Sequence, residues 1–281
     1  MLIRLAASVG GMRGAVVIAL FTDFGTRDAY VAQLKGAILS IHPTAQLVDL
    51  THEVGAFDVR AAAYLLDAAA RYFPARTIFV AVVDPGVGTA RRPVLLVTQA
   101  EKYYVGPDNG LFTRVIEREG LQAAYMLTQS AYFLPQVSAT FHGRDLFGPV
   151  AAHLARGVEP AQFGPHLAEL VRLPYARPQR MGATVVGEVI YLDHYGNIAT
   201  NIPSEMLTDL VPGQWLTLTL AERTHILPFV ETYGAGSQEQ LVCLINSSET
   251  CEIALPHGNA AACLAVQVGD RVVLKPGHAA A

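Results

Sequence analysis

The chain has 281 residues, of which 52% are hydrophobic and 16% charged, with a formal net charge of -4. Its length exceeds that of a usual single compact domain and predicts two, while so apolar a composition excludes a disordered chain and predicts surface buried between subunits. With no block of lysines or arginines, it lacks the electrostatic footprint of a nucleic-acid binder and points to a small-molecule ligand.

Residues 1–14 offer no apolar run long enough for a secretion signal and read as a disordered extension, with Met12 a candidate start. No segment reaches the apolar length that spans a bilayer. A first domain is expected over 15–172. VVIALFT (16–22) reads as a buried strand, followed by a helix from about Asp28 to Ser40 with Val31, Leu34, Ile38 and Ile41 at helical spacing. QLVDLT (46–51) reads as the second strand, DVRAAAYLLDAAARYF (58–73) as a second helix and TIFVAVVD (77–84) as a third strand. Strands alternating with helices predict a parallel sheet with helices on its faces, hence an α/β domain of Rossmann-like layout.

Between 173 and 183 the apolar periodicity lapses among prolines and arginines, which marks a linker. From 184 to 281 short strand-like runs follow, GEVIYLD (187–193), QWLTLTL (214–220), QLVCLINS (240–247) and DRVVLK (270–275), separated by Gly, Pro and Asn. They predict a smaller antiparallel β-barrel or sandwich. Cys243, Cys251 and Cys263 are too few and too irregularly spaced for a disulfide framework or zinc site, and fit structural thiols in a reducing compartment, the cytoplasm.

Ligands of open α/β sheets bind at the carboxyl ends of the strands, so the polar residues just after each buried strand carry the candidate chemistry. Asp23 leaves the first strand ahead of a Phe24-Gly25 turn; it is placed to accept hydrogen bonds from vicinal ribose hydroxyls or to act as a turn cap, and Asp28 is a candidate helix N-cap. Asp84 opens a DPGVG turn with Arg91 seven residues on, and His142 precedes a helix-like stretch carrying Leu146, Val150 and Leu154. Each of these polar residues has a structural reading beside the catalytic one. In the second domain, LDHYGNIATNIP (192–203) presents an acid, an aromatic, a glycine and asparagines, suited to a ligand or to a β-turn. A metal at Asp193 and His194 is not expected, because no second cluster stands at ligand spacing.

In this order, TDFGTRDAYVAQLKG, VDLTHEV with FDVRAAAYLL, VVDPGVGTARRPV, GPDNGLFT, TFHGRDLFGPVAAHLA, DHYGNIATNI and LINSSETCEIALPHGNAA resemble the S-adenosyl-L-methionine hydrolase (adenosine-forming) family, which is related to the fluorinase and chlorinase. The resemblance implies an N-terminal α/β domain, a C-terminal β-barrel and a homotrimer with active sites at subunit interfaces. It implies S-adenosyl-L-methionine as substrate, with no cofactor. Carried over residue by residue, Asp23 holds the ribose hydroxyls with Phe57 near the sugar; Asn197 and Tyr233 face the adenine with Tyr195 close by; Asp28, Asp193 and Ser247 hold the methionine amine and carboxylate. Asp84, Arg91 and His142 fall on the family's hydrolytic triad. The chain departs from the family's pattern at Pro256-His257 and at Ser248-Glu249-Thr250, near the expected ligand contacts of the second domain.

The implied reaction is attack of water on the ribose 5′ carbon, giving adenosine and L-methionine. A sulfonium leaves as a neutral thioether, so the difficulty is to position and strengthen water. Charged Asp84 and His142 where the halide enzymes resemble this family with hydroxyl groups, and Gly143 with no hydroxyl to offer, favour water over halide. Halide transfer and nucleoside binding without turnover remain the competing expectations.

Overall fold

β1 (Val17–Thr22) is buried from Ile18 onward, and its alternating side chains feed two separate cores. Ile18 and Leu20 pack with Leu34 and Ile38 of α1 (Tyr30–Ile41), whereas Ala19 and Phe21 meet the core that lies against the opposite face. In this computed structural model residues 16–235 and 240–278 are described; the expected extension at 1–14 and the candidate start at Met12 lie outside the described residues.

β2 (Gln46–Thr51), α2 (Val59–Ala70), β3 (Ile78–Val82), β4 (Pro93–Thr98), β5 (Tyr103–Pro107), α3 (Thr113–Glu119), β6 (Leu121–Met126) and α4 (Gly148–Ala155) complete the first unit. Its six-stranded sheet runs β2-β1-β3-β5-β4-β6. The pairs β1–β2, β1–β3 and β3–β5 are parallel, as the strand–helix alternation predicts, and β4 lies antiparallel to both of its neighbours. Val150 of α4 joins the α1 side, and Ala62, Leu66 and Ala70 of α2 cover the other. Asp58 caps α2 by accepting the Ala61 N–H at 2.9 Å. The cap of α1 is Ala29, so Asp28 does not cap it.

The chain divides between Leu173 and Pro174 into two compact units. The second contains β7 (Gln179–Met181), β8 (Thr184–Leu192), β9 (Ile198–Pro203), β10 (Trp215–Leu220), β11 (Arg223–Pro228), β12 (Val242–Ile245), β13 (Thr250–Ala254), α5 (Ala260–Leu264) and β14 (Arg271–Pro276). All its strand pairs are antiparallel, in the order β11-β10-β14-β8-β9-β13-β12, with β7 on β8. A bridge between Phe229 and Cys243, with Val230 N–H donating to the Cys243 carbonyl at 2.8 Å, draws the end strands together into a nearly closed barrel. Val189, Ile198, Leu218, Leu227 and Ile253 fill its interior. The molecule is thus an α/β unit followed by an antiparallel barrel. Among the described residues no helix is long and apolar enough to cross a membrane.

Candidate active site

The turn after β3 folds back on itself by local chemistry. Val87 N–H reaches the Asp84 carbonyl, Thr89 donates both N–H and Oγ1 to the Gly86 carbonyl, and Arg91 N–H donates to Thr89 Oγ1. The result returns Arg91 to Asp84. Its Nε and Nη2 donate to the two carboxylate oxygens at 3.1 and 2.5 Å, a bidentate fork. The two side chains are only 6% and 5% exposed. Charges taken this far from water persist because each satisfies the other.

Arg91 also reaches across 51 residues, with Nη2 3.0 Å from His142 Nδ1, while its guanidinium carbon sits 5.4 Å from the centre of the Phe147 ring. A guanidinium only donates, so Nδ1 accepts and the neutral ring carries its proton on Nε2. Burial, and then the nearby Arg91 charge, hold the His142 pKa below the usual imidazole value, which keeps the ring in that neutral form. Arg91 Nη1 is buried and has no hydrogen-bond partner among the described residues. The structure therefore brings Asp84, Arg91 and His142 into one contiguous group.

Asp23 is half-buried at the end of β1 and accepts the Phe57 N–H at 2.9 Å with Oδ2, across 34 residues. Phe57 takes a left-handed backbone (φ 66°) and its ring is exposed. Burial raises the Asp23 pKa, and the charge of Asp84 adds to that rise. Asp23 thus shares the electrostatic field of the triad. The turn that carries it is fixed from behind: Phe24 N–H donates to Thr22 Oγ1, which lies 2.8 Å from His52 Nδ1, and His52 Nε2 lies 3.1 Å from Asp49. Phe24, Tyr30 and Phe141 pack edge-on beside it, with ring centres 5.3 to 6.2 Å apart. Asp28 stands exposed in the bend before α1.

In the barrel unit, Asp193 Oδ1 accepts the N–H groups of Tyr195 and Asn197 at 2.9 and 2.8 Å, and its Oδ2 accepts Asn197 Nδ2 at 2.8 Å. Asn197 is nearly buried and Tyr195 projects outward, 74% exposed. Tyr233, expected to face adenine, donates its hydroxyl to Glu252 Oε1 at 2.6 Å, while Asn246 Nδ2 donates to Oε2 at 3.2 Å. Ser247 follows Asn246 in the turn after β12. Glu252 is not among the residues that strand-end position or family resemblance picks out. It is 5% exposed on β13, and burial, with Asp193 contributing, raises its pKa. Its signal in the sequence is an acid set within the apolar run TCEIAL.

An α/β unit with strand-end acids, followed by a β-barrel, matches the SAM hydroxide adenosyltransferase N-terminal domain over residues 18–164 and the C-terminal domain over 187–273. The chain belongs to that family. It is 38% identical to an (R)-S-adenosyl-L-methionine hydrolase of Salinispora tropica, covering 92% of this chain and 98% of that one. It is 33% identical to a fluorinase of an Actinoplanes species, covering 83% of this chain and 89% of that protein. The crystal structure of an uncharacterized conserved protein from Thermotoga maritima superposes with a TM-score of 0.88 at 34% identity, covering 92% of this chain and 99% of that one.

Proposed function

We propose that this protein hydrolyses S-adenosyl-L-methionine by attack of water on the ribose 5′ carbon, releasing adenosine, L-methionine and a proton. The observation that carries this reading is the Arg91 guanidinium joined at once to Asp84 and His142, beside a strand-end Asp23 that shares its field. The sulfonium departs as a neutral thioether, so no acid is needed at sulfur and the reaction draws on no metal or cofactor. What the protein must supply is a placed, strengthened water.

In this mechanism His142 orients the water by donating Nε2–H to its oxygen, since Nδ1 is committed to Arg91. That tautomer has no lone pair at Nε2 with which to take a proton. Asp84 is then the acceptor, because its fork with Arg91 uses one lone pair on each oxygen and leaves the others. Arg91 Nη1, buried and unpartnered among the described residues, is the donor that faces negative charge as the oxygen becomes hydroxide-like. Asp23 takes the ribose hydroxyls and Phe57 the sugar face. Asn197, Tyr195 and Tyr233 serve the adenine, and Asp28, Asp193 and Ser247 the methionine end.

A homotrimer completes the proposal, with the first unit of one copy and the second of its neighbour jointly enclosing substrate. Exposed Phe57 (69%) and Tyr195 (74%), both assigned to ligand, support it, since such rings gain from being covered. The free thiols fit a cytoplasmic location. Light scattering with and without substrate reads the assembly. The activity is tested by chromatography of products after incubation with each sulfonium epimer of S-adenosyl-L-methionine, with and without chloride. Adenosine in both conditions is the expected result. A 5′-chloro nucleoside would instead establish halide transfer, and intact ligand would establish binding without turnover. The nearly buried carboxylate of Asp84 disfavours a halide beside it.

A further inference from the structure

Asp145 is fully buried, yet neither Asp84 nor Arg91 touches it; its contacts go to the loop that ends in His142. Its Oδ2 accepts the Ser138 N–H at 2.8 Å and the Ser138 hydroxyl at 2.6 Å. That hydroxyl oxygen in turn accepts the Phe141 N–H at 3.1 Å. The backbone of Asp145 closes the same loop from its other sides, with its N–H on the Phe141 carbonyl at 3.1 Å and its carbonyl accepting Leu134 N–H at 2.9 Å. Both polar groups of Phe141, the residue before His142, are therefore held by one clamp.

Arg144 neutralises the carboxylate with Nε at 2.6 Å and Nη2 at 3.1 Å, lies over the Phe141 ring at 4.9 Å and gives Nη1 to Gln33 of α1 at 2.8 Å. On the far side the loop meets the turn that carries Asp84: a Cβ on Gly88 would stand 2.5 Å from the Ala139 carbonyl oxygen. Asp145 itself sits in a single π turn, Gly143–Phe147, an irregularity found often where a side chain must be aimed. The same turn supplies Phe147, on which Arg91 rests.

We infer that Asp145, acting through Ser138, is a positioning residue that fixes His142 Nδ1 at hydrogen-bonding distance from Arg91, so that the triad exists only while this clamp is closed. The inference rests on the hydrolase reading for its effect on turnover, but not for its effect on the imidazole. Misplacing a reacting group by about an ångström costs on the order of a hundredfold in rate.

The test compares Ser138→Ala, Ser138→Thr and Asp145→Asn in the full-length protein. Expected are a fall in kcat of about tenfold or more for the alanine and asparagine variants, with KM changed by less than about twofold, and near wild-type kcat for the threonine, which keeps the hydroxyl. In 15N NMR spectra His142 is expected as the Nε2–H tautomer in the wild type and the threonine variant, and as averaged tautomers in the other two. Loss of stability alone would not alter the tautomer in the folded fraction. Wild-type kcat and an unchanged His142 spectrum in folded Ser138→Ala would overturn the inference. If Asp145→Asn does not fold, the Ser138 pair decides alone. If the wild type shows no turnover, the hydrolase reading fails and the spectra still decide the clamp.

Discussion

Arg91 Nη2 stands 3.0 Å from His142 Nδ1, and that contact decides which nitrogen of the neutral imidazole carries the proton. A proton on Nδ1 would face a guanidinium donor head-on, so the contact lasts only while the ring is neutral.

Activity should accordingly fall on the acid side, with an inflection below the usual imidazole value near 6.5, because the His142 pKa is lowered. Stability follows the same sign. The unfolded chain binds the proton first as pH falls, so the His142 contribution is present above the unfolded value and is lost as pH drops toward the folded one. Profiles of kcat and of melting temperature against pH check both. An inflection above the usual value would contradict the assigned tautomer.

Arg91→Lys keeps the charge and loses the fork. Turnover should drop by about 10² or more, since one ammonium cannot serve two carboxylate oxygens and an imidazole together. Arg91→Ala leaves Asp84 buried and unpaired and should also destabilise the protein by about 3–5 kcal/mol. Denaturant unfolding and steady-state kinetics separate the two effects.

The alternation of β1, α1, β2, α2 and β3 was legible because buried parallel strands read as continuous apolar runs and both helices carry a clear apolar face. β4, β5 and β6 escaped notice. They are runs of only five or six residues, such as PVLLVT, paired antiparallel with one another at one edge of the sheet with no helix between β4 and β5, and α3 is only seven residues long. Asp84, Arg91 and His142 could be picked out one by one as strand-end and pre-helix residues, but separations of 7 and 51 positions say nothing of meeting. That juxtaposition depends on the folded-back turn after β3 and on the π turn at Gly143, neither of which has a periodicity to read. Glu252 was visible only as an acid inside an apolar run, and Asp145 only as the acid after His142-Gly143-Arg144. Burial, which spacing does not report, is what gives them meaning.

Tyr233→Phe removes the O–H that donates to buried Glu252. The loss of one hydrogen bond to a carboxylate costs about 1.5–3 kcal/mol, and Glu252, already raised by burial, should rise further. Calorimetric melts as a function of pH should show the variant less destabilised as the carboxyl becomes protonated. Equal destabilisation at every pH would show that the phenol does not set the titration of Glu252.

Gly88→Ala adds a Cβ at 2.5 Å from the Ala139 carbonyl oxygen, on a backbone already at φ 77°. Stability should fall by about 1–3 kcal/mol. Turnover should fall more than a surface substitution would cause, because the displaced loop carries His142. Unchanged kcat in folded Gly88→Ala would show that the loop yields without moving the imidazole.

The same contact has a consequence for redesign. Because the Asp84 turn and the His142 loop come backbone to backbone at Gly88 and Ala139, the turn accepts no side chain at Gly88 unless the loop moves with it. The two segments lie some fifty positions apart in the chain yet meet at this one contact. A graft that transplants the DPGVG turn from a relative without its matching ATFHG loop imports one half of a fitted pair.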